Sequence, residues 1–265
     1  MSQTPNKITI IGGGNLGSAI ALGLVKSGYL EPSKISITRH PSEKIDDLEE
    51  MGFAATTNNI SAVKNADIVL LAVKPWQVVE VLEEINSSLS EKAIVISLAA
   101  GVSISQFSKI TGERSIFRVI PNTAISVRES MTCISHENSS DEQVELVENL
   151  FKKVGKVMVI PEEMMEAVTV LASSGTAFAL RYLHASAQAG TEMGIRPSDA
   201  IELAAQTIKG AAALILSSKN HPEIEIDKVT TPGGVTIKGL NAMEERGFSA
   251  SVIGGMIEAL KVMKK

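Results

Sequence analysis

Short apolar runs alternate with amphipathic stretches over residues 1–160 of the chain. Several of these runs are continuous, as expected for strands that are covered on both faces in a parallel sheet. The alternation predicts a doubly wound α/β domain of the Rossmann type. The predicted strands are Lys7–Ile11, Lys34–Thr38, Asp67–Val73, Ala93–Leu98, Ser115–Ile120 and Lys156–Val159. The predicted helices are Leu16–Ser27, Pro41–Met51, Trp76–Ser87, Ser103–Ile110 and Asp141–Lys152, with Gly28 and Asp141 as caps.

Residues 161–265 follow a different pattern. Beyond Pro161 the chain has no further β-branched runs bounded by turn residues, and Ala, Met, Leu and Gln dominate. The second half is therefore predicted to be all-helical, which divides the chain into domains 1–160 and 161–265. The predicted helices are Pro161–Gly194, Ser198–Ser218, Val235–Arg246 and Ser249–Lys264.

One stretch of the second half, Ala167–Leu180, is hydrophobic on all sides and rich in small residues. Such a helix is expected to be buried all round. A domain of this size has little interior of its own, so burial against a second copy of the chain is the simplest solution. We therefore predict a homodimer through the helical domain. A monomer, with this helix wrapped by the other three, remains the alternative.

Composition narrows the functional classes. The net charge of −5 gives no basic face for nucleic acid. Cys133 is the single cysteine, which excludes an intrachain disulfide and argues against a cysteine-based metal site. Glycines follow the first apolar run at once, and the longest uncharged stretch is shorter than the roughly 20 residues of a membrane span. We expect a cytoplasmic protein without membrane or nucleic-acid partners.

A glycine-rich motif of the form G-x-G-x-x-G lies between the first predicted strand and the first predicted helix. Gly12 suits the tight turn, Gly14 lets the backbone approach a diphosphate, and Gly17 permits close packing of helix and strand. The diphosphate would bind the free N–H groups at the helix start. The motif predicts a dinucleotide site. Its residues are Gly12, Gly13, Gly14, Asn15, Leu16 and Gly17.

The end of the second predicted strand bears on the choice of cofactor. Proteins that bind NAD usually place an acidic residue there, whereas this chain has Arg39. An arginine can pair with a 2′-phosphate, so NADPH is favoured and NADH remains possible. The alternative is that Arg39 is an ordinary solvated residue.

Three further strand ends carry residues suited to a ligand site. They are Ala72-Val73-Lys74-Pro75, Leu98-Ala99-Ala100-Gly101 and Val119-Ile120-Pro121-Asn122-Thr123. Ligands bind at the carboxyl ends of the strands in open α/β sheets, so Lys74 is expected near the cofactor. The small side chains around Ala100 leave room for a nicotinamide ribose.

In the helical half, Thr230-Thr231-Pro232-Gly233-Gly234 breaks one helix and precedes another that starts near Val235. A helix start with free N–H groups and neighbouring hydroxyls suits a carboxylate. The alternative is a plain helix–helix turn in which Thr231 serves as a cap. The histidines show no spacing typical of a metal site or a catalytic triad, so no metal is expected; they are His40, His136, His184 and His221.

The run DKVTTPGGVTIKGLNAMEERGFSASVIGGMIEA resembles the C-terminal signature of pyrroline-5-carboxylate reductases. The resemblance extends upstream through Ala204–Thr207, Gly210–Ala212, Pro121-Asn122-Thr123 and Ala72–Pro75, and so covers nearly the whole chain. It implies reduction of 1-pyrroline-5-carboxylate to L-proline by NAD(P)H. It also implies a Rossmann domain and a helical domain that interlocks with another subunit, in some members within larger assemblies.

The resemblance also implies roles for individual residues. The Thr236 hydroxyl is expected to bond the imine nitrogen in catalysis. Cofactor contacts are expected from Gly12 to Leu16, Arg39, Asn59, Ala72, Val73, Lys74 and Ala100. Substrate contacts are expected from Thr231, Gly233, Gly234, Val235 and Thr236, with a further contact from Glu162.

The chain departs from the family pattern in its long apolar helix. The family form S-G-S-G-P-A-Y is replaced by Ala-Ser-Ser-Gly-Thr-Ala-Phe at 172–178. Three alternatives therefore stay open: a reductase of another cyclic imine, a hydroxy-acid dehydrogenase and a non-catalytic NADP-binding protein. The dehydrogenase hypothesis is disfavoured because such enzymes generally need a catalytic lysine in this helix, and residues 167–194 contain no lysine.

Overall fold

The computed structural model describes residues 4–263. The chain divides into two compact units, one ending at Ser174 and the other running from Gly175 to Met263. The predicted domain boundary between residues 160 and 161 stays a prediction. The predicted helix end at Lys264 lies outside the described residues.

The first unit is built on one eight-stranded sheet with the order β3-β2-β1-β4-β5-β6-β7-β8. Within residues 4–263, β6 and β7 form the one antiparallel pair, so β7 and β8 run opposite to the other six strands. The order 3-2-1-4-5-6 is that of doubly wound dinucleotide-binding folds, so the predicted fold class is confirmed. The strands are β1 (Ile8–Ile11), β2 (Ile35–Thr38), β3 (Ala54–Thr56), β4 (Ile68–Leu71), β5 (Ile94–Ser97), β6 (Ile116–Ile120), β7 (Ser130–Glu137) and β8 (Gly155–Val159).

Two hydrophobic cores lie on opposite faces of this sheet. Ile8 and Ile10 contribute to one core, whereas Ile11, Val69 and Leu71 contribute to the other. Because neighbouring residues of a strand point to opposite faces, a strand covered on both faces is largely apolar along its whole length. This explains the continuous apolar runs of the sequence. Because β1, β2, β4 and β5 pair in parallel, their carboxyl ends lie at one edge of the sheet.

Helices connect the strands, and two of their predicted limits were wrong. The helix predicted from Pro41 to Met51 covers only Asp46–Glu50. Asp141 is not a cap, because Ser140 accepts the hydrogen bond from the Gln143 N–H at 3.4 Å. The helices of this part are α1 (Asn15–Lys26), α2 (Asp46–Glu50), α3 (Asn59–Val63), α4 (Val78–Ile85), α5 (Ile104–Thr111) and α6 (Asp141–Lys152).

The single helix predicted over Pro161–Gly194 is divided into several pieces. A 3₁₀ turn at Glu162–Met164 leads into α7 (Met165–Val168), and a π-helical segment follows at Thr169–Ser174. A π-helical segment widens the turn and often lies at a functional site. The Thr169 hydroxyl donates to the Met165 carbonyl at 2.6 Å, within this segment. The apolar pattern alone does not distinguish these helix types.

The second unit is all-helical, as predicted. One helix, α10, was not predicted, because its seven residues are mostly charged and lack an apolar stripe. Within this unit α8 and α9 pack closely, and a Cβ on Gly190 would lie 3.0 Å from that of Ala200. The helices are α8 (Gly175–Glu192), α9 (Pro197–Ser218), α10 (Pro222–Lys228), α11 (Val235–Glu245) and α12 (Phe248–Met263).

Apolar side chains cover much of the surface of the second unit. In α9 only Ala200 is buried, and neither α11 nor α12 contains a buried residue. By length and composition alone, α9 would be able to cross a membrane, although Glu202 and Lys209 lie within it. Large apolar side chains at least half exposed in this unit include Leu180, Ile201, Leu203, Leu214, Leu216, Ile253 and Ile257.

Candidate functional site

The turn between β1 and α1 has the geometry that its glycines predict. Gly12 has a φ of +105°, a conformation that side-chain-bearing residues rarely adopt. The N–H groups of Gly12 and Gly13 donate to the Thr38 carbonyl at 3.1 and 2.7 Å, which joins the turn to the end of β2. A Cβ on Gly17 would overlap the Gly12 carbonyl oxygen. Gly17 therefore allows α1 to begin directly against the turn.

The start of α1 is open to an anion. Gly14 is the N-cap, no side chain caps it, and the first turn contains no acidic residue. A Cβ built on Gly14 would meet nothing within 4 Å. Free N–H groups at a helix start carry a partial positive charge, which attracts phosphate. This turn and helix start therefore fit a dinucleotide diphosphate.

A cavity of about 600 Å³ extends from this turn across the ends of β1, β2, β4 and β5. It brings together most of the residues that the sequence assigns to the cofactor. Gly17 does not line it, because Gly17 lies where α1 packs on the turn. The predicted residues that line the cavity are Gly12, Gly13, Gly14, Asn15, Leu16, Arg39, Asn59, Ala72, Val73, Lys74 and Ala100.

Arg39 is held firmly beside the glycine turn, and its side chain is only 16% exposed. Its Nε donates to the Gly13 carbonyl at 3.0 Å, and Nη1 donates to the Lys44 carbonyl at 2.6 Å. Nη1 and Nη2 also donate to the two carboxylate oxygens of Asp47 at 2.5 and 2.8 Å. This hydrogen bonding lowers the pKa of Asp47 and raises that of Arg39. Arg39 is thus no ordinary solvated residue.

Asn59 also lies in the cavity wall, at the start of α3. Its Oδ1 accepts a hydrogen bond from the Thr38 hydroxyl at 2.7 Å, and its Nδ2 donates to Glu84 at 3.0 Å. These two bonds fix the orientation of the amide. Asn59 therefore presents a fixed polar wall beside the end of β2.

In the second unit, the Pro-Gly-Gly segment precedes α11 as predicted. Gly233 has a φ of +69°, and Gly234 is the N-cap, whose N–H donates to the Thr231 carbonyl at 3.0 Å. No side chain caps α11, so Thr231 does not act as the cap, and the first turn has no acidic residue. The N–H groups at the start of this helix remain open to a carboxylate. Val235 is 88% exposed, while Thr236 is partly buried.

Glu162, the remaining predicted substrate contact, lies in the first unit. Its Oε1 accepts hydrogen bonds from the Ile104 N–H at 2.6 Å and from Arg118 Nη1 at 3.3 Å. The carboxylate thus holds the start of α5 and pairs with a cation. Its side chain is 32% exposed.

Two family models match the chain. Residues 162–265 match the family described as "Pyrroline-5-carboxylate reductase dimerisation", and residues 7–101 match "NADP oxidoreductase coenzyme F420-dependent". Pyrroline-5-carboxylate reductase 2 of Dictyostelium discoideum is 39% identical and is aligned over 97% of this chain and 92% of its own length. The chain belongs to the pyrroline-5-carboxylate reductase family. Pyrroline-5-carboxylate reductase 1 of the same organism is 41% identical, and this chain spans about half (49%) of its length.

Solved structures of the pyrroline-5-carboxylate reductase family are similar over the whole chain. The structure from Coxiella burnetii has a TM-score of 0.90 and 34% identity, with 99% of this chain and 98% of that chain covered. The structure from Plasmodium falciparum, solved with NADP bound, has a TM-score of 0.89 and 26% identity, with 100% and 98% covered. The predicted family is confirmed by these similarities.

Several residues of the cavity wall were predicted neither from the family resemblance nor from the sequence pattern. Thr57 follows β3, a three-residue strand too short to be recognised in the sequence. Gln77 and Val81 line the cavity from the turn and helix that follow β4. The available signal for this part of the wall was the strand end at Lys74-Pro75, because the residues of the turn and helix that follow a strand end lie close to it.

Arg118 was also missed. It is 2% exposed in the middle of β6, where its Nη1 meets Glu162 at 3.3 Å and its Nη2 meets Glu166 at 3.0 Å. A charged residue inside an otherwise apolar strand was the signal for it, because buried charges are nearly always paired.

Within residues 4–263, no group of three or more His, Cys, Asp or Glu is arranged to hold a metal.

Proposed function

We propose that this protein reduces 1-pyrroline-5-carboxylate to L-proline with NADPH or NADH. The observation that carries the proposal is the agreement between family membership and two helix starts without a side-chain cap, at Gly14 and at Gly234. Full-length relatives named pyrroline-5-carboxylate reductase, 35–39% identical over at least 97% of the chain, support the reaction. The NADP in the Plasmodium structure supports the cofactor.

The residues of the first unit fit a dinucleotide. The space left open at Gly14 suits the diphosphate, since a side chain there would fill it. A bound NADPH or NADH supplies hydride from its nicotinamide ring. The chain's own contribution on this side is to fix the ring beside the small residues around Ala100 and to exclude water. Gly12 to Leu16, Arg39, Asn59 and Ala72 to Lys74 would hold the rest of the cofactor.

The start of α11 would bind the substrate. The N–H groups around Gly233, Gly234, Val235 and Thr236 anchor the carboxylate, and Thr231 adds a hydroxyl. The Thr236 hydroxyl oxygen accepts a hydrogen bond from the protonated imine nitrogen. A protonated cyclic imine is already electrophilic, so this reaction needs alignment more than an acid of shifted pKa. Glu162 is proposed to contribute a further contact.

We further propose that two copies of the chain associate through the second unit. The apolar side chains of α9 and α12 need cover, and exposed apolar surface of this extent marks an interface. The matched family model for residues 162–265 is named for dimerisation, which supports this reading over a monomer or a membrane partner. Larger assemblies would be multiples of this dimer.

We also propose a cytoplasmic location, where the free thiol of Cys133 would stay reduced.

The proposed substrate is tested by steady-state kinetics with racemic 1-pyrroline-5-carboxylate and its six-membered homologue, with NADPH as reductant. We expect kcat/KM to favour the five-membered ring by about tenfold or more, because one methylene in a fitted pocket changes binding by about 1–3 kcal/mol. A preference for the six-membered ring would assign the enzyme to that substrate instead. Absence of turnover with both would favour the non-catalytic alternative.

A further inference from the structure

The guanidinium of Arg39 has little capacity left for a new partner. Of its five N–H groups, four already donate: one to Gly13, one to Lys44 and two to Asp47. Only one N–H, on Nη2, has no acceptor within residues 4–263. Arginine binds phosphate most strongly through two parallel N–H groups. Arg39 can present such a pair to a 2′-phosphate only by giving up a bond it already makes: Nη1 and Nη2 are held by Asp47, and Nε is held by the Gly13 carbonyl.

The charges around Arg39 oppose a 2′-phosphate as well. Asp47 neutralises the guanidinium through a two-point contact, and Glu43 is a second carboxylate close enough to interact with it. Glu43 also lines the cofactor cavity beside Arg39. A phosphate dianion placed there meets two negative side chains and one cation. NADH lacks the 2′-phosphate and does not meet this repulsion.

We propose that Asp47 sets the cofactor specificity by occupying Arg39, so that the preference for NADPH is weakened and NADH remains a competent cofactor. Asp47 lines a cavity that adjoins the cofactor cavity and shares Arg39 and Glu43 with it. Its proposed effect is exerted through its hydrogen bonds to Arg39, so we treat it as a positioning residue. This inference rests on the proposed use of NADPH or NADH.

The test measures binding of two ligands that differ only in the 2′-phosphate. Dissociation constants for adenosine 5′-monophosphate and adenosine 2′,5′-bisphosphate are obtained by calorimetry. The ratio of the monophosphate constant to the bisphosphate constant measures how much the 2′-phosphate adds to binding. Asp47→Asn keeps the side-chain shape and removes the charge. We expect the ratio to shift about tenfold towards the bisphosphate, because asparagine has no negative charge and leaves only one acceptor oxygen for the arginine fork. Affinity for the monophosphate should change by less than about twofold.

Matched variants separate this role from a general charge effect. Asp46→Asn makes the same chemical change on the same helix, at an exposed residue without a contact to Arg39, and should leave the ratio within about twofold of the wild type. Arg39→Gln should leave no preference for the bisphosphate, since the fork is gone while Asp47 and Glu43 remain. In that background Asp47→Asn should have little further effect, because residues that act through each other are not additive.

The outcomes distinguish the inference from the function it rests on. An unchanged ratio in Asp47→Asn would overturn the inference, and so would a fall in bisphosphate affinity, which would mean that Asp47 holds Arg39 in its productive position. The same calorimeter measures NADPH and NADH on the wild-type protein. If neither binds, the proposed cofactor site is wrong and the inference falls with it. If both bind and only the ratio fails to respond, the cofactor site stands and the role of Asp47 does not.

Discussion

Thr236 is the residue on which the proposed chemistry depends most. Thr236→Val keeps the branched shape and removes the hydroxyl, so it isolates one hydrogen bond. We expect kcat/KM to fall about 5- to 150-fold, equivalent to about 1–3 kcal/mol, since the imine nitrogen loses its partner. Steady-state kinetics with NADPH provide the measurement.

The control for Thr236 is Thr111→Val, the same change at the end of α5 in the first unit. The Thr111 hydroxyl is partly buried and donates to the Phe107 carbonyl within its own helix. This variant should keep kcat/KM within about twofold of the wild type. Full activity of Thr236→Val, with an unchanged KM, would remove Thr236 from the mechanism.

Cys133 provides a second prediction at the scale of one residue. Burial raises the pKa of its thiol, and its side chain is 2% exposed on β7. A raised pKa favours the folded state below the unfolded thiol's value of about 8.5, and that stabilisation is lost as the pH rises through the folded pKa. At about pH 8, labelling by a thiol reagent should be far slower in the native protein than in guanidinium chloride. Rapid labelling of one thiol per chain without denaturant would contradict this.

The element formed by β1, the glycine turn and α1 makes a paired prediction. Gly14→Ala places a methyl group in open space, with a backbone conformation that alanine adopts easily. It should leave the free energy of unfolding within about 0.5 kcal/mol of the wild type but weaken dinucleotide binding. Gly17→Ala forces a methyl group into the Gly12 carbonyl and should cost about 1–3 kcal/mol.

Urea unfolding and calorimetric titration with NADPH measure the two effects on these glycine variants separately. If Gly14→Ala lost stability, or if Gly17→Ala were as stable as the wild type, the proposed division of roles within the motif would be wrong.

At the scale of elements, the sequence predicted those whose pattern is set by burial. Strand β4 is wholly apolar, β1, β5 and β6 each contain one polar or charged residue, and β2 alternates isoleucine with Ser36 and Thr38. All five are buried runs in which isoleucine, valine or leucine recurs, and the sequence shows such runs directly. Strand β7 was missed because it includes polar side chains such as Ser130, Thr132 and Ser135, which are buried although polar. Strand β3 is too short to form a pattern, and the π-helical segment depends on backbone hydrogen bonding that composition does not encode.

The candidate site was predictable to the extent that it depends on backbone chemistry. The glycines, the strand ends and Pro-Gly-Gly can be read from their positions in the sequence. The partners of Arg39 and Glu162 cannot, since Asp47, Ile104 and Arg118 reach them only through the folded chain. Those partners decide how much charge a ligand meets.

At the scale of the whole molecule, the second unit of a single chain exposes an apolar surface. Leu214 of α9 is 53% exposed, and the proposed dimer is expected to cover this face. Leu214→Lys should therefore reduce the mass measured by size-exclusion chromatography with light scattering from a dimer, or a multiple of it, towards the monomer. Burying an unpaired lysine costs several kcal/mol, more than most interfaces tolerate.

A matched change on the first unit is Val127→Lys, at a side chain that is 68% exposed. This variant should keep the mass of the wild type. A wild-type protein that is monomeric at micromolar concentration would contradict the proposed dimer.

The central claim about the whole molecule is that hydride passes from the dinucleotide to the imine carbon, the ring carbon that is doubly bonded to nitrogen. It is tested most directly with NADPH that carries deuterium at the transferable position of its nicotinamide. After incubation with 1-pyrroline-5-carboxylate, the product is separated on a chiral column and its label is located by NMR. We predict L-proline with deuterium at C5. Proline without deuterium, or no proline at all while NADPH is bound, would contradict the proposed reaction.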